Sequence, residues 1–150
     1  MPSSFMTPLR VEFIDGRSWR VLQEFDYQVV FGDEGTTIRV PAGFITDFAS
    51  IPRALWSFMI PTGKYGKAAV VHDYLYVVGG RVPCPRAMGP KDNGFQLSCA
   101  LNGYGCQIFT KEQADRIFRD AMEVLGVGNP ERWLMWQAVR KFGKGNFGKV

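Results

Sequence analysis

The chain carries a single histidine, His72, inside the apolar run Ala68-Ala69-Val70-Val71-His72-Asp73-Tyr74-Leu75-Tyr76. An imidazole and a carboxylate in a buried helix are costly to desolvate unless they are paired or bound to something. The pair is therefore either a satisfied core contact or a chemical site. Tyr65, Ala69, His72 and Tyr76 are spaced four, three and four residues apart, so on a helix they share one face. Asp73 projects about 100° further round the axis. His72 and Asp73 thus point in adjacent directions, which suits two separate tasks rather than one compact pair.

A second carboxylate can complete the histidine. Thr110-Lys111-Glu112-Gln113 is a capping-box pattern that opens a helix reaching residue 125. Its apolar stripe is Ala114, Ile117, Phe118, Ala121, Met122 and Leu125, with Asp115 on the stripe's edge. If this helix packs antiparallel to the His72 helix, Asp115 reaches the imidazole. A carboxylate on one ring nitrogen fixes the tautomer and leaves the other nitrogen as a general base. Asp73 is then available to hold a hard cation together with backbone carbonyls and water.

The elements that must position these groups divide the chain into a β half and an α half. Residues 9–14, 19–30 and 36–40 alternate as half-buried strands, separated by Asp15-Gly16 and Gly32-Asp33-Glu34-Gly35 turns. They predict an antiparallel meander. Ser50 caps a short helix over 51–59, and Pro61-Thr62-Gly63 breaks it. The His72 helix covers 64–78 and ends at Gly79-Gly80. Asn129-Pro130-Glu131 opens the last helix, with proline in the first helical position. Trp133, Trp136 and Phe142 share a face of it, as core or docking surface. The expected fold is α+β, one domain over 1–150: a β-meander followed by three to four helices. Residues 1–8 and 143–150 are expected to be flexible, and 81–109 to form a long loop or insertion.

Composition narrows the function. The chain has 150 residues, 46% of them hydrophobic and 21% charged, as in a soluble globular protein. A net charge of +4 permits an anionic partner without arguing for one. No aromatic-basic platform is present, so nucleic acid is not an expected partner. No run approaches the ~18 apolar residues of a membrane span. The N-terminus lacks the basic start and apolar core of a secretory signal, so synthesis in a cytoplasm is expected. Cys84, Cys99 and Cys106 form no Cys-x-x-Cys pair, so a zinc cage is not expected. Free thiols are the expected state, with one disulfide plus one thiol the alternative. Asp47 either caps the helix that follows or adds a site carboxylate, and Arg53 is expected to pair with Asp47 or Asp115.

His72-Asp73-x-x-Tyr76, followed by Ala114-Asp115-Arg116 on a second helix, resembles the site of the phospholipase A₂ superfamily. The resemblance implies that His72 activates water, that Asp73 binds calcium, and that Tyr76 and Asp115 support the histidine. Pro61-Thr62-Gly63-Lys64-Tyr65-Gly66 is the candidate for that superfamily's glycine-rich loop. A second resemblance spans residues 38–142. Val40-Pro41-Ala42-Gly43-Phe44-Ile45-Thr46-Asp47-Phe48-Ala49-Ser50-Ile51-Pro52-Arg53, the His72 helix, Ala114-Asp115-x-x-Phe118 and Ala138-Val139-Arg140 are together similar to small phage and prophage proteins of unassigned function. It implies a viral or prophage origin and supplies no activity; synthesis is then expected in a host cytoplasm, with association with a virion as one outcome. Two functions follow: a hydrolase assisted by a divalent cation such as calcium, acting on a phospholipid ester or on another ester or amide, or a non-enzymatic virion component of the tail or head-tail region. In the second, the His72 pair only locks two helices, and the partners are other virion proteins.

Overall fold

The computed structural model describes residues 4–5, 8–15, 18–31, 34–47, 65–82, 107–142 and 147–148. Alternation in the first half produces strands as expected. Phe25, Tyr27 and Val29 are buried on one side of β4 (Phe25–Phe31), opposite Val40 and Ile38 of β5 (Glu34–Val40). On the other side Arg39 grips both carboxylate oxygens of Asp26, at 2.7 and 2.9 Å. β1 (Ser4–Phe5) pairs with the free edge of β4, giving the sheet order β1-β4-β5.

The expected strand over 19–30 is two strands. β3 (Ser18–Val21) ends where Leu22 and Gln23 are exposed, and β4 begins at Phe25. Apolar residues hold the odd positions 19, 21, 25, 27 and 29, and polar Gln23 interrupts them. The chain leaves the sheet at that gap. β3 pairs with β2 (Val11–Asp15) on one side and β6 (Ile45–Thr46) on the other, forming a second sheet, β2-β3-β6. The antiparallel set is thus two three-stranded sheets rather than one continuous meander. Gly43, at φ 88°, turns the chain so that its amide donates to the Val21 carbonyl at 2.7 Å. That turn delivers Thr46 to the site described below.

Three helices follow among the described residues: α1 (Gly66–Val77), α2 (Lys111–Val124) and α3 (Asn129–Phe142). α1 is buried nearly all round, as a helix apolar on every face must be. It packs against α2, β5 and β6, and it shares one buried cluster with Val21, Phe25, Tyr27, Ile38, Phe118 and Met135. α2 is two-faced, burying Ala114, Asp115, Ile117, Phe118, Ala121 and Met122. Its capping box is complete: Gln113 N–H donates to Thr110 Oγ1 at 3.2 Å, and Thr110 N–H to Gln113 Oε1 at 2.9 Å. α3 buries Met135, Ala138 and Val139 and leaves Trp133 53% exposed, so that ring is not core.

One close approach sets where α2 starts. Gly80 has φ +77°, and a Cβ there would lie 1.8 Å from the Phe109 carbonyl oxygen. Phe109 N–H donates to the Gly80 carbonyl at 2.8 Å, and β7 (Arg81–Val82) pairs with β8 (Gln107–Ile108) beside it. α2 is therefore hung from the end of α1 by backbone contact. The ends of the 81–109 segment are this short ribbon; the rest of it lies outside the described residues, as do all three cysteines, Arg53 and the expected helix over 51–59. Near the two ends, Phe5 pairs with Tyr27 and Gly148 N–H donates to the Tyr76 carbonyl at 2.7 Å; residues 1–3, 6–7, 143–146 and 149–150 lie outside the described residues.

Candidate functional site

α1 and α2 run antiparallel. Tyr76 meets Lys111 and Asp115, while His72, one turn earlier, meets Asp115 and Phe118. The expected contact between His72 and Asp115 is present. His72 Nε2 lies 2.8 Å from Asp115 Oδ1, and Tyr76 Oη–H donates to the same oxygen at 2.6 Å. The ring is held between Tyr76 and Phe118, at centroid distances of 4.2 and 4.9 Å. The side chains of His72 and Asp115 are each 2% exposed.

Asp115 is a buried carboxylate that stays ionised. Burial pushes its pKa up, but hydrogen bonds from His72, Lys111 and Tyr76 outweigh burial and leave it below the ordinary range. His72 moves down from 6.5: desolvation dominates, and Lys111 adds to it, against the pull of Asp115. The imidazole is therefore neutral at neutral pH. Its Nε2 faces an ionised carboxylate and carries the hydrogen, so Nδ1 holds the lone pair. Nδ1 is buried and has no hydrogen-bond partner among the described residues. Burial and the bond to Asp115 also push the Tyr76 phenol up, so it remains a donor.

Asp73 turns away from His72, as its place on the helix requires. Its Oδ2 accepts hydrogen bonds from Thr46 Oγ1–H and, at 3.2 Å, from Asp47 N–H. It ties β6 to α1. Asp47 thus reaches the site helix through its amide, and the segment it was expected to cap lies outside the described residues. A calcium ion needs six to eight oxygen ligands, several of them carboxylates. Among the described residues no group of three or more His, Cys, Asp or Glu side chains comes together. Asp73 Oδ2 already faces an N–H and an O–H. Among the described residues these donors do not complete a calcium site, and residues 61–64 of the candidate glycine-rich loop lie outside them.

Sequence reasoning missed Lys111. Its Nζ donates to Asp115 Oδ2 at 2.7 Å and lies 3.4 Å from the Arg140 carbonyl on α3. The available signal was its position four residues before Asp115, a spacing that pairs opposite charges on a helix. Tyr65, expected on the face of His72 and Tyr76, instead donates its hydroxyl to Glu131 of α3 at 2.6 Å. Burial first, and then Glu131, push that phenol up to about 12.

The fold and this site occur in a chain that belongs to a family described as protein of unknown function, DUF1353, matched over residues 19–139. The match takes in strands β3 to β6, α1, α2 and most of α3. No curated protein and no solved structure matches the chain. No helix among the described residues is long and apolar enough to cross a membrane.

Proposed function

We propose that this chain is a hydrolase of esters, with His72 as general base and Asp115 as the group that orients it. One observation carries the reading: Asp115 holds Nε2, while the buried lone pair of Nδ1 has no partner among the described residues. An unsatisfied buried acceptor costs roughly 1–3 kcal/mol. A water bound at Nδ1 removes that cost and is at the same time the nucleophile. Nδ1 takes a proton from the water as its oxygen bonds to the ester carbonyl carbon. The imidazolium that forms is stabilised by Asp115. On collapse of the tetrahedral intermediate the C–O bond to the alcohol breaks, and the proton passes from Nδ1 to the leaving oxygen. A carboxylic acid and an alcohol result. Tyr76 keeps Asp115 Oδ1 aimed at the ring throughout.

The substrate class comes from the resemblance of His72-Asp73-x-x-Tyr76 and Asp115 to the phospholipase A₂ superfamily, which suggests a phospholipid ester. The resemblance of four ordered motifs to phage proteins supports an origin in a phage or prophage, with synthesis in the host cytoplasm and a place in the virion.

A second reading has its own support. The pair is almost wholly buried and wedged between aromatic rings, so it serves equally as a lock between α1 and α2 in a non-enzymatic virion component. His72→Gln separates the two, because glutamine keeps volume and an amide donor for Asp115. Phospholipid vesicles and small chromogenic esters are the substrates, with and without calcium. The hydrolase reading expects turnover by the parent and a loss of about 100-fold or more in the variant, with the melting temperature nearly kept. A parent that cleaves neither substrate, and a variant that melts far lower, would establish the lock.

A further inference from the structure

The charge on Asp115 is balanced by a residue outside the His-Asp motif. Asp115 accepts three hydrogen bonds, and only the one from Lys111 comes from a fixed cation. The Lys111 ammonium also lies 5.7 Å from the Tyr76 ring centroid, and its side chain is 18% exposed. It is held from both sides, by a carboxylate on its own helix and by the Arg140 carbonyl of α3.

A count of charges shows what this contact does. One ammonium and one carboxylate sum to zero with the imidazole uncharged. Without the ammonium, a net negative charge stays in a site whose two central side chains are 2% exposed. A lone buried charge is strongly disfavoured. The open nitrogen of His72 is the nearest place for a proton that would cancel it. Asp47, beside the site on the strand side, also favours the charged ring, whereas Lys111 opposes it. Asp73 and Glu112 act on Tyr76 in the same sense as Asp115. Lys111 is thus the cation set against this acidic surround.

We propose that Lys111 is a positioning residue of the His72 site: its ammonium anchors Asp115 Oδ2 and supplies the countercharge that leaves His72 Nδ1 unprotonated. The inference deepens the general-base reading and rests on it for its catalytic meaning. Lys111 does not touch the substrate. It acts through Asp115.

The chain's only histidine makes the test direct. With ¹⁵N-labelled histidine, the unaltered protein at neutral pH shows one protonated nitrogen, Nε2, and one bare nitrogen, Nδ1. Lys111→Met loses the bare-nitrogen signal and takes on the imidazolium pattern, while Lys111→Arg restores the parent pattern. Lys111→Met folding normally with the parent pattern intact overturns the proposal. Should Lys111→Met not fold, reductive methylation of the unaltered protein decides: Lys111 protected relative to exposed Lys141 supports the proposal, and equal reactivity overturns it. Ester hydrolysis is scored separately. A protein whose His72 signals respond to Lys111 but which cleaves no ester retains Lys111 in this role and ends the hydrolase reading alone.

Discussion

His72 Nε2 and Asp115 Oδ1 lie 2.8 Å apart across the contact of two antiparallel helices, although the two residues are 43 positions apart in the chain. The contact gives an imidazole one satisfied nitrogen and one open nitrogen. It also concentrates three donors on one carboxylate, so each donor can be removed singly and its effect read on the others.

Removing the carboxylate charge is the most severe change. Asp115→Asn leaves the shape but strips Lys111 and His72 of their shared anion. Breaking a buried charge pair of this kind costs about 3 kcal/mol. Urea denaturation is expected to show a loss of that order, against a loss of about 1 kcal/mol for Tyr76→Phe, which removes one donor from an otherwise paired group. Equal losses in the two variants would mean that Asp115 is not ionised in the folded protein.

The depressed pKa of His72 sets a pH dependence. The unfolded chain binds a proton at this residue below its ordinary value of 6.5, and the folded protein does so only at lower pH. Between those two values the unfolded state holds more protons, so stability falls as pH falls. The slope approaches about 1.4 kcal/mol per pH unit. Asp115, depressed below 3.8, adds a second loss of the same sign under more acid conditions. Melting temperature measured against pH is expected to decline below 6.5 in the parent, and His72→Gln is expected to flatten the upper part of that decline.

Asp73 is expected to behave as a structural acceptor. Thr46→Val removes the hydroxyl donor and leaves a part-buried carboxylate with its amide bond from Asp47. A loss of roughly 1–2 kcal/mol follows. Millimolar calcium is expected to leave the parent's melting temperature unchanged. A rise with calcium that disappears in Asp73→Asn would show that cation binding displaces the Thr46 contact.

Gly80→Ala tests how α2 is placed. Its φ of +77° disfavours a side chain, and a Cβ 1.8 Å from the Phe109 oxygen forces the backbone apart. Backbone strain alone costs about 1–3 kcal/mol. The displaced capping residue should also move Asp115, so the His72 ¹⁵N signals are expected to change although Gly80 touches neither side chain.

Much of the fold was legible. Odd-position apolar residues identified the strands, Thr110 and Gln113 identified the start of α2, and paired glycines identified the end of α1. The break between β3 and β4 was harder to see, because Leu22 and Gln23 leave the alternation in phase on either side. The partition into two sheets depends on which strand edges meet, and that is a long-range matter. Within the site, His72, Asp73, Tyr76 and Asp115 stood out by type and spacing. Lys111 did not, because a lysine in the first turn of an amphipathic helix reads as solvated surface.

The amino-acid order by itself determined that His72 and Asp73 point in different directions, because adjacent residues on a helix always diverge. It determined too that Asp115 sits at the margin of an apolar stripe. Which partner each of them meets was decided only in three dimensions. The Gly80–Phe109 contact sets the start of α2 against α1 and so gives His72 its carboxylate. The Gly43 turn brings Thr46 to Asp73, where a cation was expected. Neither outcome follows from local propensity, since both depend on backbone segments far apart in the chain packing at close range.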